Sequence, residues 1–483
     1  MPREQDNSAI VEKILSGARW ATALRLVAQS ISWLSTILVV RFISQEDYGL
    51  NAMLESPLEF LFLLSTFGLD TALVRAHSVR REALQSTFGW LLVINGALFL
   101  AYFFGSTLIA TYFNEPRLEN LAKVLAFVFL LVPFRVIPNA LLDRELKFKL
   151  KAFAELATSI VTSIVTLILA MLGAGIWALI TGIILARTMH MLILMIIEPW
   201  FMRPRLVFSE VRGLISFGGT MTLSSAVAIT GYMLPAIIAG PRLGPEALGV
   251  FVVSLQFALL PLSKVMPVIN PIIFPAFSKF QEQHAAIANY MEKSIGFAAL
   301  ILLPPMLGLA CVAQEFVPVV LGEKWLPAAV PLALLSLSVP FRGLTSFIRQ
   351  VMGGIGHAGL TLKSTVFTWV VFFSSIMIGV NHGVDGLVAA VLVTEPLVTL
   401  VTIALCKRVM DTSYSQIARR LFPAMSCCTL MSIGVFGTKA LLSGQSTVTI
   451  LSIEIAVGVI LYVAALRVLF PRQFADALRL IKH

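Results

Sequence analysis

Five cations stand inside long apolar runs of this chain, away from the polar breaks: Arg25, Arg135, Arg187, Lys264 and Arg342. A cation at the centre of a membrane span costs about 2.5 to 3.5 kcal/mol on insertion scales, so each needs a partner, an aqueous cavity or a path to water. Guanidinium forks and ammonium point charges bind anionic oxygens, so the five together could line a cationic cavity for an anionic cargo. Carboxylates enter the same runs at Glu55, Glu59, Glu155, Glu395 and Glu454. Glu55 and Glu59 are four apart and share one helix face around Pro57, and Glu395 precedes Pro396. A carboxyl group inside a span can take up and release a proton, which makes Glu59 and Glu395, with Glu55 beside them, candidates for coupling transport to an ion gradient. The alternative is that they pair with a cation such as Arg25 and hold helices together.

Depth separates the cations. At about 1.5 Å per residue, Arg187 and Lys264 lie roughly 16 Å from the end of their runs, near the midplane. Arg25, Arg135 and Arg342 are only about 9 to 14 Å from the expected cytoplasmic end, within reach of a snorkelling side chain.

The elements that must carry these residues are membrane helices. The chain has 483 residues, 58% of them hydrophobic and 13% charged, with a mean hydropathy of +0.89. That composition excludes a water-soluble globular protein. About fourteen apolar runs, each of roughly 20 residues, follow one another from residue 18 to residue 470. Backbone groups in lipid must be satisfied within the segment, and barrel-type alternation is absent, so all are read as helices. The expected class is an all-α integral membrane protein: a cytoplasmic segment 1–17, six helices in 18–197, a cytoplasmic linker 198–212, six helices in 213–406, two more in 407–470, and a tail 471–483. Residues 1–17 hold no apolar core ending in a cleavage site, so the first span is expected to remain as an anchor. Cys311, Cys406, Cys427 and Cys428 are scattered without metal-ligand spacing, and neither metal nor cofactor is expected.

Lys and Arg follow alternate loops. One side receives Arg75, Arg80 and Arg81, then Arg144, Lys147, Lys149 and Lys151, then Arg203, Arg205 and Arg212, and later Lys407, Arg408, Arg419 and Arg420. The other side receives Arg41, Arg117, Arg242, Lys324 and Lys439. The positive-inside rule then puts both termini in the cytoplasm, in the cytoplasmic (inner) membrane of a cell. The net charge of +10 is an orientation signal, which also attracts anionic lipid headgroups, and does not imply nucleic acid. The G-x-G-x-x-G match from Gly354 to Gly359 follows a membrane helix and not a strand, so it reads as a cytoplasmic loop.

The tetrapeptide VPFR occurs at Val132–Arg135 and again at Val339–Arg342, on the fourth and tenth runs. The segment from Ile43 to Leu50 aligns with Leu243 to Val250, matching Glu46 to Glu246 and Gly49 to Gly249. Both echoes fit one register, runs 1–6 over runs 7–12, in parallel orientation. Parallel repeats of this kind rock about an axis along the membrane normal, around a cavity near the midplane.

RFISQEDYGLNAM after the first run, FGLDTALVR after the second, ALLDRELKFK after the fourth and LGEKWLPAA before the tenth resemble the polysaccharide transport family of Wzx-type flippases. That family belongs to the superfamily that includes the multidrug and toxin extrusion transporters. The resemblance implies two six-helix lobes in a V shape with two added C-terminal helices. It also implies alternating access for a polyprenyl-diphosphate-linked oligosaccharide used in exopolysaccharide, capsule or O-antigen assembly. Polysaccharide polymerase and co-polymerase proteins would be partners. An ion-coupled multidrug exporter is the alternative within the superfamily, although a cationic drug would want an acidic cavity. A membrane polymerase or ligase is a weaker reading, since no outside loop is long enough for a catalytic domain and neither G-x-x-x-x-G-K-[ST] nor H-E-x-x-H occurs.

Overall fold

Three helices of this chain start on the same device. Ser44 accepts the Asp47 amide, Ser413 the Gln416 amide and Ser446 the Thr449 amide, each satisfying one of the donors that a helix start leaves open. The computed structural model describes residues 2–76, 80–263, 284–410, 412–442 and 444–475. Among the described residues there is no β-strand.

The helices up to the linker are α1 (Pro2–Phe42), α2 (Gln45–Thr66), α3 (Leu69–Arg75), α4 (Arg81–Phe104), α5 (Ser106–Phe113), α6 (Arg117–Ala126), α7 (Val128–Arg144), α8 (Phe148–Met171) and α9 (Ile176–Ile197). After it come α10 (Phe208–Ala258), α11 (His284–Phe316), α12 (Ala329–Gly354), α13 (Ala358–Gly379), α14 (Gly383–Cys406), α15 (Tyr414–Leu441) and α16 (Thr447–Leu469). Helix α10 breaks its geometry at Gly244, with φ 77° and ψ 174°. Beside that break the chain divides into two compact units, Met1–Pro245 and Glu246–His483. Twelve stretches among the described residues are long and apolar enough to cross a membrane, and one of them, Gly359–Cys406, contains both α13 and α14. Two expected runs are interrupted within their length. The third breaks at Gly105, whose amide bonds back to Ala101, and the fourth breaks at Phe127, between α6 and α7.

In the first unit α1 lies along α8, α8 along α9, and α7 between α4 and α9. The α1–α8 seam includes small residues: Ala21, Ala28 and Ala152 are buried, and Ser159 donates to the Ala28 carbonyl at 2.9 Å. Small side chains let membrane helices approach closely and bond across the seam. Behind it, the Tyr102 hydroxyl donates to Leu54 O at 2.9 Å, Asn95 donates to Ser65 O at 2.9 Å, and Phe62 stacks on Phe129. Gly49 leaves no room for a Cβ, which would stand 1.7 Å from the Pro245 carbonyl oxygen. This gives the repeated glycine of the sequence a packing reason.

In the second unit α11 packs on α12, α15 and α16, while α14 packs on α12 and α13. Gly379 and Gly386 face each other so closely that a Cβ on either would meet the other's carbonyl oxygen within 2.3 Å. Its core gathers Met291, Ile348, Val351, Met352, Ile403, Cys406 and Met410. Cys406, Cys427 and Cys428 are buried packing residues, as expected.

At one end of the first unit, Arg117 at the start of α6 bonds both Glu115, at 2.7 and 2.9 Å, and Glu46 in the first turn of α2. Arg117's hydrogen bond, with help from its charge, holds the Glu115 carboxyl below its ordinary value against the opposing effect of desolvation. A lowered folded-state pKa adds stability that is complete at neutral pH and is lost as pH falls through the shifted value. The Arg117 side chain is half exposed although that of Glu115 is only 14% exposed, so the pair is largely screened on the arginine side, and the loss should be about 1 kcal/mol and shrink in salt. Glu115→Gln should therefore flatten the acid limb of thermal stability in low-salt detergent. An unchanged limb would discount the clamp.

Candidate functional site

Helix α9 carries Arg187 and, one turn on, His190; α7 carries Arg135; α2 carries Glu55, Glu59 and Phe62. These spacings place Glu59 beside Phe62 and Arg187 beside His190 on their helix faces. Arg187 Nη2 donates to Glu59 Oε1 at 3.1 Å, and its guanidinium carbon stands 4.3 Å above the Phe62 ring centroid. Carboxylate and aromatic face thus hold the fork in one orientation. Arg135 and Arg187 line one narrow crevice, too tight to hold a water molecule in this state, together with Phe62, Val128, Leu131 and Val132. Counted from Ile197 and Arg144, both arginines lie roughly 14 to 15 Å from the same end of their helices. The two depths that the sequence separates therefore coincide.

Arg135 sits in the repulsive field of Arg187 and in the attractive fields of Asp70 and Glu59. His190 faces the same cations, and its Nε2 is buried with no hydrogen-bond partner among the described residues. Glu55 completes the face next to Asn51, Glu59 and Arg187. The Glu59 side chain is 49% exposed and that of Arg187 32%, so the pair is open to an arriving ligand. Two guanidiniums and an imidazole whose Nε2 has no partner among the described residues, set against the open Glu59 carboxylate, make a face that can receive an anionic group.

Arg25 stands apart from this cluster. Its Nε donates to Glu155 Oε2 at 2.9 Å, so the ion pair ties α1 to α8. Glu59 and Glu395 each stand beside a cation, Arg187 and Arg342 respectively, while Arg25 takes Glu155. Lys264 lies outside the described residues.

The second unit has its own buried polar face. Arg342 Nε stands 3.6 Å from Glu395 Oε1, with side-chain exposures of 19% and 9%. Two turns on, Arg349 donates to the Ser364 hydroxyl and carbonyl at 3.0 Å each, and to the Thr368 hydroxyl. Hydroxyl pairs continue the ladder: Ser364 with Thr402 at 2.7 Å, Thr345 with Thr399 at 2.9 Å, and Thr394 with Ser375 at 2.9 Å. Glu395 thus lies in the field of both Arg342 and Arg349 at the junction of α12 and α14.

Sequence reasoning missed His190, Phe62, Asp70 and Arg349. The signal for three of them was present as helical spacing: Phe62 three residues from Glu59, His190 three from Arg187 and Arg349 seven from Arg342.

An all-helical, many-spanning bundle with arginine faces placed about halfway along its helices is a membrane transporter fold. The chain belongs to the polysaccharide biosynthesis protein family, whose model matches residues 38–330. Over 414 residues it is 25% identical to the lipopolysaccharide biosynthesis protein WzxC of Escherichia coli strain K12, covering 84% of this chain and 83% of WzxC. Over 479 residues it is 24% identical to the teichuronic acid biosynthesis protein TuaB of Bacillus subtilis strain 168, covering 98% and 99%. Among solved structures it resembles the lipid II flippase MurJ in an inward closed conformation, with a TM-score of 0.74, 14% identity and coverage of 95% and 99%. The protein is a multi-pass membrane protein of polysaccharide biosynthesis.

Proposed function

We propose that the protein flips a polyprenyl-diphosphate-linked oligosaccharide across the cytoplasmic membrane, with the Arg135–Arg187–His190 face of the first unit receiving the diphosphate. One observation carries this reading: two arginines share a single crevice deep in the helical unit, and among the described residues the exposed carboxylate of Glu59 is the one hydrogen-bond partner of Arg187. A diphosphate can replace Glu59 as the partner of the Arg187 fork, and Phe62 keeps the fork in place during the exchange. The reading is supported by membership in a polysaccharide biosynthesis family and by fold likeness to the lipid II flippase MurJ.

In the second unit, Glu395 against Arg342 is the matching candidate for ion coupling, with Glu59 and Glu55 in the first. Polymerase and co-polymerase proteins would receive the product. Deleting the gene should leave lipid-linked repeat units on the cytoplasmic leaflet while their synthesis continues. Repeat units reaching the outer leaflet at the normal rate without the protein would overturn the flippase reading.

A further inference from the structure

Glu454 lies in α16, seven residues from its first residue and about 10 Å along the helix. It is fully buried at 0% exposure, and neither carboxyl oxygen has a hydrogen-bond partner among the described residues. Across the seam, α11 brings Glu315 and Cys311, and α15 brings Lys439. Lys439 is already engaged: its Nζ stands 2.6 Å from Glu315 Oε1 and donates to Gln314 Oε1 at 2.8 Å. The second oxygen, Glu315 Oε2, is buried and also without a partner. Below them the seam is apolar, formed by Val312, Val435 and Leu451. Cys311 donates to the Ser432 hydroxyl at 3.3 Å and so offers Glu454 no counter-charge.

The described charges facing Glu454 are therefore one cation and one carboxylate that already neutralise each other. An ionised Glu454 would leave one uncompensated negative charge in a dry seam, which protein interiors avoid by neutralising the group. With a proton on Glu454 the three groups carry no net charge. We propose that Glu454 and Glu315 form a proton-binding site between α11, α15 and α16, in which Glu454 holds the proton and the Glu315–Lys439 pair controls its exchange with water.

Lys439 is two residues from the end of α15, and Glu315 lies six residues before Leu321, where the apolar stretch that contains α11 ends; the charge asymmetry assigns both ends to the outer face. Lys439 retains 34% side-chain exposure and provides the contact with water. Release moves one proton from the Glu454 hydroxyl oxygen to water admitted beside the Glu315–Lys439 pair, leaving Glu454 as a carboxylate. Lys439 then has two carboxylates to serve, and their mutual repulsion loosens α16 from α11. This site lies outside the arginine faces of both units and does not depend on which cargo they carry.

The test is infrared spectroscopy of the purified full chain in lipid nanodiscs at neutral pH. The wild-type spectrum minus that of Glu454→Gln should contain a protonated-carboxyl carbonyl band that shifts in heavy water and vanishes only on alkaline titration. No such band in the difference would overturn the proposal. Glu315→Gln keeps the shape of the seam and frees Lys439 to pair with Glu454, so the band should be lost although Glu454 is intact. Lys439→Met should add a second protonated-carboxyl band as Glu315 loses its counter-ion. A Glu454 band indifferent to both substitutions would show an isolated buried acid and overturn the shared site.

Discussion

Arg187→Ala is expected to reach the membrane in normal amount and to lose export of lipid-linked oligosaccharide by about 10- to 100-fold, since a charge-assisted hydrogen bond contributes roughly 1.5 to 3 kcal/mol. The loss has two parts. The fork that would bind the diphosphate disappears, and Glu59, freed from its 3.1 Å bond, leaves an unpaired carboxylate facing an anionic cargo. Arg187→Lys separates charge from geometry. Lysine keeps the positive charge but not the planar fork, so it should recover only part of the activity. The measurement is polymer yield per unit of membrane-embedded protein, read together with lipid-linked precursor on the cytoplasmic leaflet. Full yield from Arg187→Ala would remove this face from the transport path. Glu155→Gln at the α1–α8 seam is the control: it disturbs an ion pair elsewhere in the same unit, and export should fall far less.

Membrane class and all-helical character were legible because the solvent imposes them: a lipid-spanning segment needs about 20 apolar residues with its backbone bonds satisfied within it. The number of spans was less so, with about fourteen runs expected and twelve stretches long and apolar enough among the described residues. Helix breaks inside a span were less legible. Gly105 and Phe127 interrupt apolar runs without a polar residue to mark the point, and hydropathy averages over them.

At the site, sequence could say which charges were buried but not which would meet. Arg135 and Arg187 are far apart in the chain, and only the packing of α7 against α9 puts them on one crevice. Arg25 looked equivalent to them by burial, yet its α8 neighbour supplies Glu155 and turns it into a packing pair. The recurrence of VPFR has a similar limit. Arg135 faces another arginine, whereas Arg342 faces Glu395, so identical tetrapeptides present opposite local electrostatics.

That difference makes the Arg342–Glu395 pair the second place where a large effect is expected. Both side chains are mostly buried, so removing one takes a close counter-charge from the other, and breaking a buried pair costs about 3 to 5 kcal/mol. Glu395→Ala should lower the thermal unfolding midpoint of the purified protein markedly. Replacing both residues by apolar ones of similar volume, Arg342→Met with Glu395→Leu, should restore most of that stability, because the desolvation cost goes with the charges. Transport separates the two roles of the pair. If it only holds α12 to α14, the stable double variant should export normally. If Glu395 carries the coupling proton, the double variant should be stable yet inactive under a gradient, and Glu395→Gln should flip substrate at a rate that no longer responds when the proton gradient is collapsed. Gradient-sensitive flipping in Glu395→Gln, equal to wild type, would assign coupling to another carboxylate, with Glu59 the next to examine.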